Sequence, residues 1–190
     1  MAPSEISAIM AGGPSMTPAV VEAVRAAGIR SVVINNSWML MPDADCLFAA
    51  DAEWWLAEPR VSPTDEQVKG QRLVCQDQRV PNATYVVPNP QPIGMNGSNS
   101  ALQAAYYEAK RGAKRILLFG VDLRDDELTH HHGLHKGTLN NPTKQRFRRA
   151  RAAWAAYAAE PNRPEIINCN PRSALDCFPK MTMEEALGLS

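Results

Sequence analysis

All four histidines of the chain, His130, His131, His132 and His135, fall within six residues. An imidazole titrates near neutral pH, so such groups can serve as a general base, hold a phosphate or ligate a metal. Metal ligation fits this run poorly, because adjacent histidines point in different directions and no cysteine lies near. A solvated loop without chemistry is the plain alternative. The surrounding stretch, Leu123 to Pro142, has no periodicity, and a polar loop of about twenty residues inside a compact domain is often a lid or binding loop. Just beyond it, Lys144, Arg146, Arg148, Arg149 and Arg151 crowd the start of a helix, where like charges oppose the helix dipole. An anionic ligand would relieve that repulsion; a solvated basic face would leave it to water.

A second set of residues sits at strand ends. In IMAGGPSMTP, Ile9 to Pro18, Gly12 and Gly13 remove side chains at a strand-to-helix corner, and Pro14, Ser15 and Thr17 follow. There a phosphate or ribose could approach the backbone closely. The same residues also describe a tight turn in which Thr17 merely caps. The spacing matches neither the GxGxxG fingerprint nor the GxxxxGK[ST] phosphate loop. Asn35, Asn36 and Ser37 end a second strand, Asp51 a third and Asp122 a sixth. Asparagine amides both donate and accept, which suits a base or ribose and equally suits a turn. Ser98, Asn99 and Ser100, within MNGSNSALQ, stand at a helix start, as a second cradle or an ordinary cap. Asp43 and Asp45 precede their strand and so belong to the opposite edge, away from a metal role. Trp54 and Trp55 could stack on a base or anchor a helix in the core.

The elements that must position these groups alternate. Candidate strands are Ile6 to Ala11, Ser31 to Asn35, Cys46 to Ala50, Arg72 to Gln76, Thr84 to Val87, Arg115 to Val121 and Glu165 to Cys169. Between the first two, Val20, Val24 and Ala27 recur at helical spacing behind Thr17 and Pro18. Leu102, Tyr106 and Ala109 repeat that spacing after a cap at Ser98 or Ser100, and Gly112 stops the helix. Phe147, Ala150, Trp154 and Tyr157 mark a third helix. The pattern predicts an α/β fold with a mostly parallel sheet of about seven strands.

Hydrophobic residues make up 45% of the 190 residues, enough for one core, so a single domain over 1–190 is expected. Twenty basic residues balance twenty acidic ones, so net charge gives no reason to expect nucleic-acid or membrane binding. The longest apolar run, Ile116 to Phe119, is far short of a membrane span, and a cytoplasmic protein is expected. Cys46, Cys75, Cys169 and Cys177 form no CxxC pair and are expected as reduced thiols. Ser173 to Leu187 ends in a short amphipathic pattern that could pack on its own domain or form a homo-oligomer.

The combination GGPS, INNSW, AADAEWW, NGSNSALQAA, LLFGVD, HHHGLHKG and INCNPRSALDCFP resembles a group of small bacteriophage and prophage proteins, through nearly the whole chain. Such a protein would reside in the host cytoplasm. More distantly, GPS after the first strand, the asparagines after the second, the NS-containing helix start and the GVD strand end resemble two further groups. These are the bacterial sialyltransferases that use CMP-sialic acid and the archaeal-type hydroxymethylpterin pyrophosphokinase-like domains. Both imply a Rossmann-like three-layer sandwich, with a lid loop at about 123–142, binding a nucleotide or nucleotide-sugar at the glycine corner. The sialyltransferase resemblance implies that Gly12, Gly13, Pro14 and Ser15 face the phosphate, that Asn35 contacts nucleotide or sugar, and that Ser98, Asn99 and Ser100 lie near the base or donor. His132 or His135 would deprotonate the acceptor, with no cofactor required. Where those enzymes place tyrosines on the leaving phosphate, this chain has Leu123 and Arg124, and Arg124 would supply the charge instead. The pyrophosphokinase resemblance implies ATP and Mg²⁺, with Asp122, Asp125 or Asp51 as ligands. A noncatalytic phage protein that captures a nucleotide or modulates a host partner is the reading from a different class.

Overall fold

The computed structural model describes residues 5–56, 63, 66–75, 80, 83–85, 99–125 and 143–189. Strands β1 (Ile6–Met10), β2 (Arg30–Ile34), β3 (Cys46–Phe48), β4 (Gln71–Val74), β5 (Thr84–Tyr85), β6 (Arg115–Phe119) and β7 (Glu165–Asn168) form one sheet in the order β5-β4-β3-β2-β1-β6-β7. Every pairing is parallel. Since β5 is only two residues long, six longer strands carry the sheet. The expectation of a mostly parallel sheet is met by a wholly parallel one.

Helices α1 (Pro18–Ala27), α2 (Ala52–Leu56), α3 (Ser100–Lys110), α4 (Lys144–Ala158) and α5 (Met183–Leu187) cover its two faces. Right-handed crossovers explain which helix goes where. From β1 to β4 the chain steps outward in one direction, and α1 and α2 pack with Ala8, Met10, Val33 and Leu47 on one face. At α3 the chain turns back across the sheet to β6, so α3 and α4 fall on the other face, with Ile9, Val32, Phe48 and Leu118. Strands buried on both sides must be apolar almost throughout, which is why β1 and β6 read as continuous hydrophobic runs. This order is that of a doubly wound, Rossmann-like sheet, and its switch point lies between β1 and β6.

Local chemistry sets the helix ends. Thr17 accepts from the Val20 N–H and Pro18 opens α1, as the sequence indicates. For α3 the cap is Asn99, whose side chain accepts from the Leu102 N–H; neither Ser98 nor Ser100 holds that role. Asparagine offers the same short acceptor as serine, so the sequence located the cap only to within a residue.

The N-terminal edge of the sheet holds the polar groups that do not belong to the site. Glu108, almost wholly buried, accepts from Ser7 Oγ at 2.7 Å and from Arg30 Nε at 2.9 Å. Asp45 accepts from the Ser31 N–H and hydroxyl. Asp43 accepts from Arg25, whose guanidinium holds that carboxyl below its usual range. Asp43 and Asp45 therefore lie on the edge expected from their position before β3. Among the described residues no helix is long and apolar enough to cross a membrane.

Candidate functional site

Beyond their last paired residues, the exits of β1 and β6 continue side by side. The Ala11 N–H donates to the Phe119 carbonyl and the Gly13 N–H to the Gly120 carbonyl, both at 2.8 Å. Two chains can run this close only if side chains are missing. A Cβ on Gly13 would lie 2.5 Å from Asp122 Oδ2 and closer still to the Gly120 carbonyl oxygen. The glycine pair of the sequence thus serves first to let the β6 exit pass.

The anion in this corner belongs to the protein. Asp122, 4% exposed, accepts from the Ser15 N–H at 2.8 Å, from Ser15 Oγ at 2.5 Å and from Asn170 Nδ2 at 2.6 Å. Its carbonyl accepts from the Ala174 N–H, and Ser173 Oγ donates to Val121 and Asp122 carbonyls. A buried carboxylate is stable only when fully hydrogen-bonded, and three donors meet that need. A ligand phosphate placed against the Ser15 amide would meet this carboxylate, so the expected phosphate cradle of Gly12, Gly13, Pro14 and Ser15 is filled from within. Asn170 and Ser173 were absent from the sequence reading of the site. Their signal was an asparagine just past a strand end, the feature that singled out Asn35.

All three partners donate, which makes Asp122 an acceptor-only position. Replacing it with asparagine turns at least one NH₂ hydrogen toward another donor. Asp122→Asn is expected to lose about 1–3 kcal/mol of stability, read as a lower urea midpoint at unchanged slope. A midpoint equal to wild type would show that the three hydrogen bonds do not hold the corner.

The remaining expected residues divide between core and edge. Asn36 is buried, and its Oδ1 accepts from Trp54 Nε1 at 2.8 Å, while Trp55 Nε1 donates to the Ala49 carbonyl at 2.9 Å. Both tryptophans thus anchor α2 and neither presents an open ring to a base. Ser100 Oγ accepts from the Ala50 N–H at 3.2 Å, tying the start of α3 to the exit of β3. Asp51, partly exposed, follows that exit. Arg124, also partly buried, follows Leu123. Ser98, His132 and His135 lie outside the described residues, as does most of the expected lid.

Asn35 is different. It follows β2 directly with φ 49°, a left-handed backbone, and its Oδ1 is buried without a hydrogen-bond partner among the described residues. Leu123, which follows β6 by a few residues, has φ 46°. Non-glycine residues enter that region at a cost of order 1–2 kcal/mol. Strands β2 and β6 are the two neighbours of β1, so these two residues stand on either side of its exit, while a third, Asn162 with φ 64°, lies in the turn before β7.

Thiol nucleophiles find no support. All four cysteines are free, and burial pushes Cys75 and Cys169 up to about 12, so both stay protonated at neutral pH. Among the described residues no group of three or more His, Cys, Asp or Glu is placed to hold a metal. The Asp122 carboxylate is occupied by donors of its own, Ser15 and Asn170. No protein-family model matches the chain, and neither curated proteins nor solved structures show a significant match to it.

Proposed function

We propose that the chain binds a nucleotide or nucleotide-sugar at the C-terminal edge of the sheet around β1 and acts there as a transferase. One observation carries this reading. Two non-glycine residues hold left-handed backbone at the exits of β2 and β6, the strands on either side of β1, and one of them leaves a buried amide oxygen without a partner among the described residues. Strain of this kind collects at ligand sites, and open α/β sheets bind ligands at such a switch point. The Asn35 amide suits a base amino group or ribose hydroxyl. Since Asp122 fills the glycine corner, the ligand's phosphate lies elsewhere on the rim. In the glycosyl-transfer form of the reading, His132 or His135 deprotonates the acceptor and Arg124 faces the leaving phosphate.

Asn35→Gly tests the site without disturbing the fold, because glycine accepts the same backbone and only the amide is removed. Its stability is expected to stay within about 1 kcal/mol of wild type. In a thermal-shift comparison of cytidine nucleotides, CMP-sugars and ATP with Mg²⁺, a nucleotide at 100 times its Kd adds about 2.7 kcal/mol, or about 5–10 °C for a chain of this size. That shift is expected in wild type and lost in Asn35→Gly. The reading falls if no nucleotide shifts wild type, or if the variant shifts equally. Donor turnover that survives alanine at all four histidines would remove the lid base, and binding without any turnover would favour nucleotide capture.

A further inference from the structure

We infer that Ser15 is a nucleophile with Asp122 as its general base, and that the transferred group passes through a phosphoserine at this position. This rests on the reading of the rim as a nucleotide site and narrows its chemistry to phosphoryl transfer from a nucleoside triphosphate.

The geometry of the pair carries the inference. Ser15 Oγ donates to Asp122 Oδ1 at 2.5 Å, and the carboxylate is held in turn by the Ser15 N–H and by Asn170 Nδ2. A hydroxyl in reach of a base that a further group orients is the arrangement common to activated nucleophiles. A hydroxyl offers one proton and two lone pairs. Here the proton is committed to the carboxylate, and among the described residues no group donates to Ser15 Oγ, so its lone pairs stay free for an electrophile.

Comparison with the other serines separates this pair from a structural hydrogen bond. Ser7 Oγ donates to Glu108 and Ser31 Oγ to Asp45, but both serines are buried, and Ser31 Oγ also accepts from the Asp45 N–H. Ser100 and Ser173, buried as well, spend their hydroxyls on backbone groups. Among the described serines Ser15 alone joins a carboxylate partner to partial exposure. It stands in the turn from β1 to α1, at the edge and switch point where open α/β sheets bind their ligands.

In the first step Ser15 Oγ attacks the terminal phosphorus of the donor as its proton passes to Asp122. The P–O bond to the donor breaks, and a nucleoside diphosphate leaves with the bonding pair. Loss of the Asp122 charge removes the repulsion between that carboxylate and the arriving phosphoryl group. The remainder of the phosphate chain stays outside the glycine corner. An acceptor hydroxyl then takes the phosphoryl group, Asp122 returns its proton to Ser15 Oγ, and the acceptor's proton leaves to solvent. An aspartate that accepts a hydroxyl proton is a recurring part of phosphoryl transfer.

An alkyl fluorophosphonate, a phosphorus electrophile that needs no nucleotide recognition, provides the test, read by mass spectrometry on the tryptic peptide Met1 to Arg25. Wild type is expected to carry the label on Ser15 and not on Thr17, an exposed hydroxyl that caps α1. Asp122→Asn, held at a temperature where it remains folded, is expected to label about a hundredfold more slowly, and Ser7→Ala at the wild-type rate. Absent label on Ser15, or equal rates in wild type and Asp122→Asn, overturns the inference. With ATP or CTP and Mg²⁺, phosphate is expected on Ser15 of wild type and on no residue of that peptide in Ser15→Ala. Nucleotide triphosphates that raise the melting temperature but never phosphorylate Ser15 also overturn it and leave the nucleotide-binding reading intact. Probe labelling of Ser15 that depends on Asp122, with no nucleotide bound, supports the activated serine and removes the nucleotide reading.

Discussion

Gly120→Ala is expected to lower stability by about 4 kcal/mol, or about 8–16 °C in melting temperature for a chain of this size. Two terms combine. Gly120 has φ 66°, so any side chain pays left-handed strain of about 1–2 kcal/mol. The added Cβ would also strike the Ala11 carbonyl oxygen, with the Ala11 carbonyl carbon 3.0 Å and Met16 Cβ 3.1 Å away. Neither backbone can retreat, because the Ala11 and Gly13 amides bond across the gap on either side of Gly120. Overpacking against fixed neighbours adds about 1–3 kcal/mol. Gly28→Ala separates the terms, since Gly28 has φ 62° with nothing within 4 Å of a Cβ. It is expected to show the strain alone. Equal melting temperatures for the two variants would refute the close approach of the β1 and β6 exits.

Glu108→Ala is expected to cost about 3–5 kcal/mol by urea unfolding, because it leaves the mostly buried Arg30 guanidinium without its carboxylate. The loss should be insensitive to salt, since the pair is shielded from solvent ions. Replacing both partners tells a different story. Arg30→Met with Glu108→Leu removes the charges together and is expected to recover most of the loss, as apolar replacements of buried pairs often do. If the double variant is as unstable as Glu108→Ala alone, the network contributes through Ser7 or through Arg111, whose Nε lies 3.8 Å from the Glu108 carboxylate, and the pairwise account fails.

The sheet was legible because its strands are short apolar runs separated by capped helices, and burial on both faces writes that pattern directly into the residue types. Six of the expected strands are present and the fifth is a two-residue pairing at Thr84–Tyr85; β2 and β4 begin one residue early, and β1, β2, β3, β6 and β7 end one or two residues before the expected position. Helix α2 was less visible: five residues give too little periodicity, and its two tryptophans read as well for stacking as for packing. The site divided on a different principle. Gly13, Asp122 and Asn35 were all placed correctly at strand exits, but their partners are not encoded nearby. Asp122 meets Ser15 across 107 positions and Asn170 across 48. No local pattern shows that a glycine corner will be filled by a carboxylate from another strand. Asn36 was indistinguishable from Asn35 by sequence, and one residue of helical turn sends it to Trp54 instead of the rim.

The clamp on Asp122 also sets an order of assembly. Asn170, Ser173 and Ala174 come from the segment after β7, and Lys180 bridges back to Asn168 beyond them. Ribosomes deliver this segment only after β1, β6 and α4 have emerged. A nascent chain halted before it carries Asp122 without the three tethers from Asn170, Ser173 and Ala174, so the corner closes only once the segment after β7 has emerged.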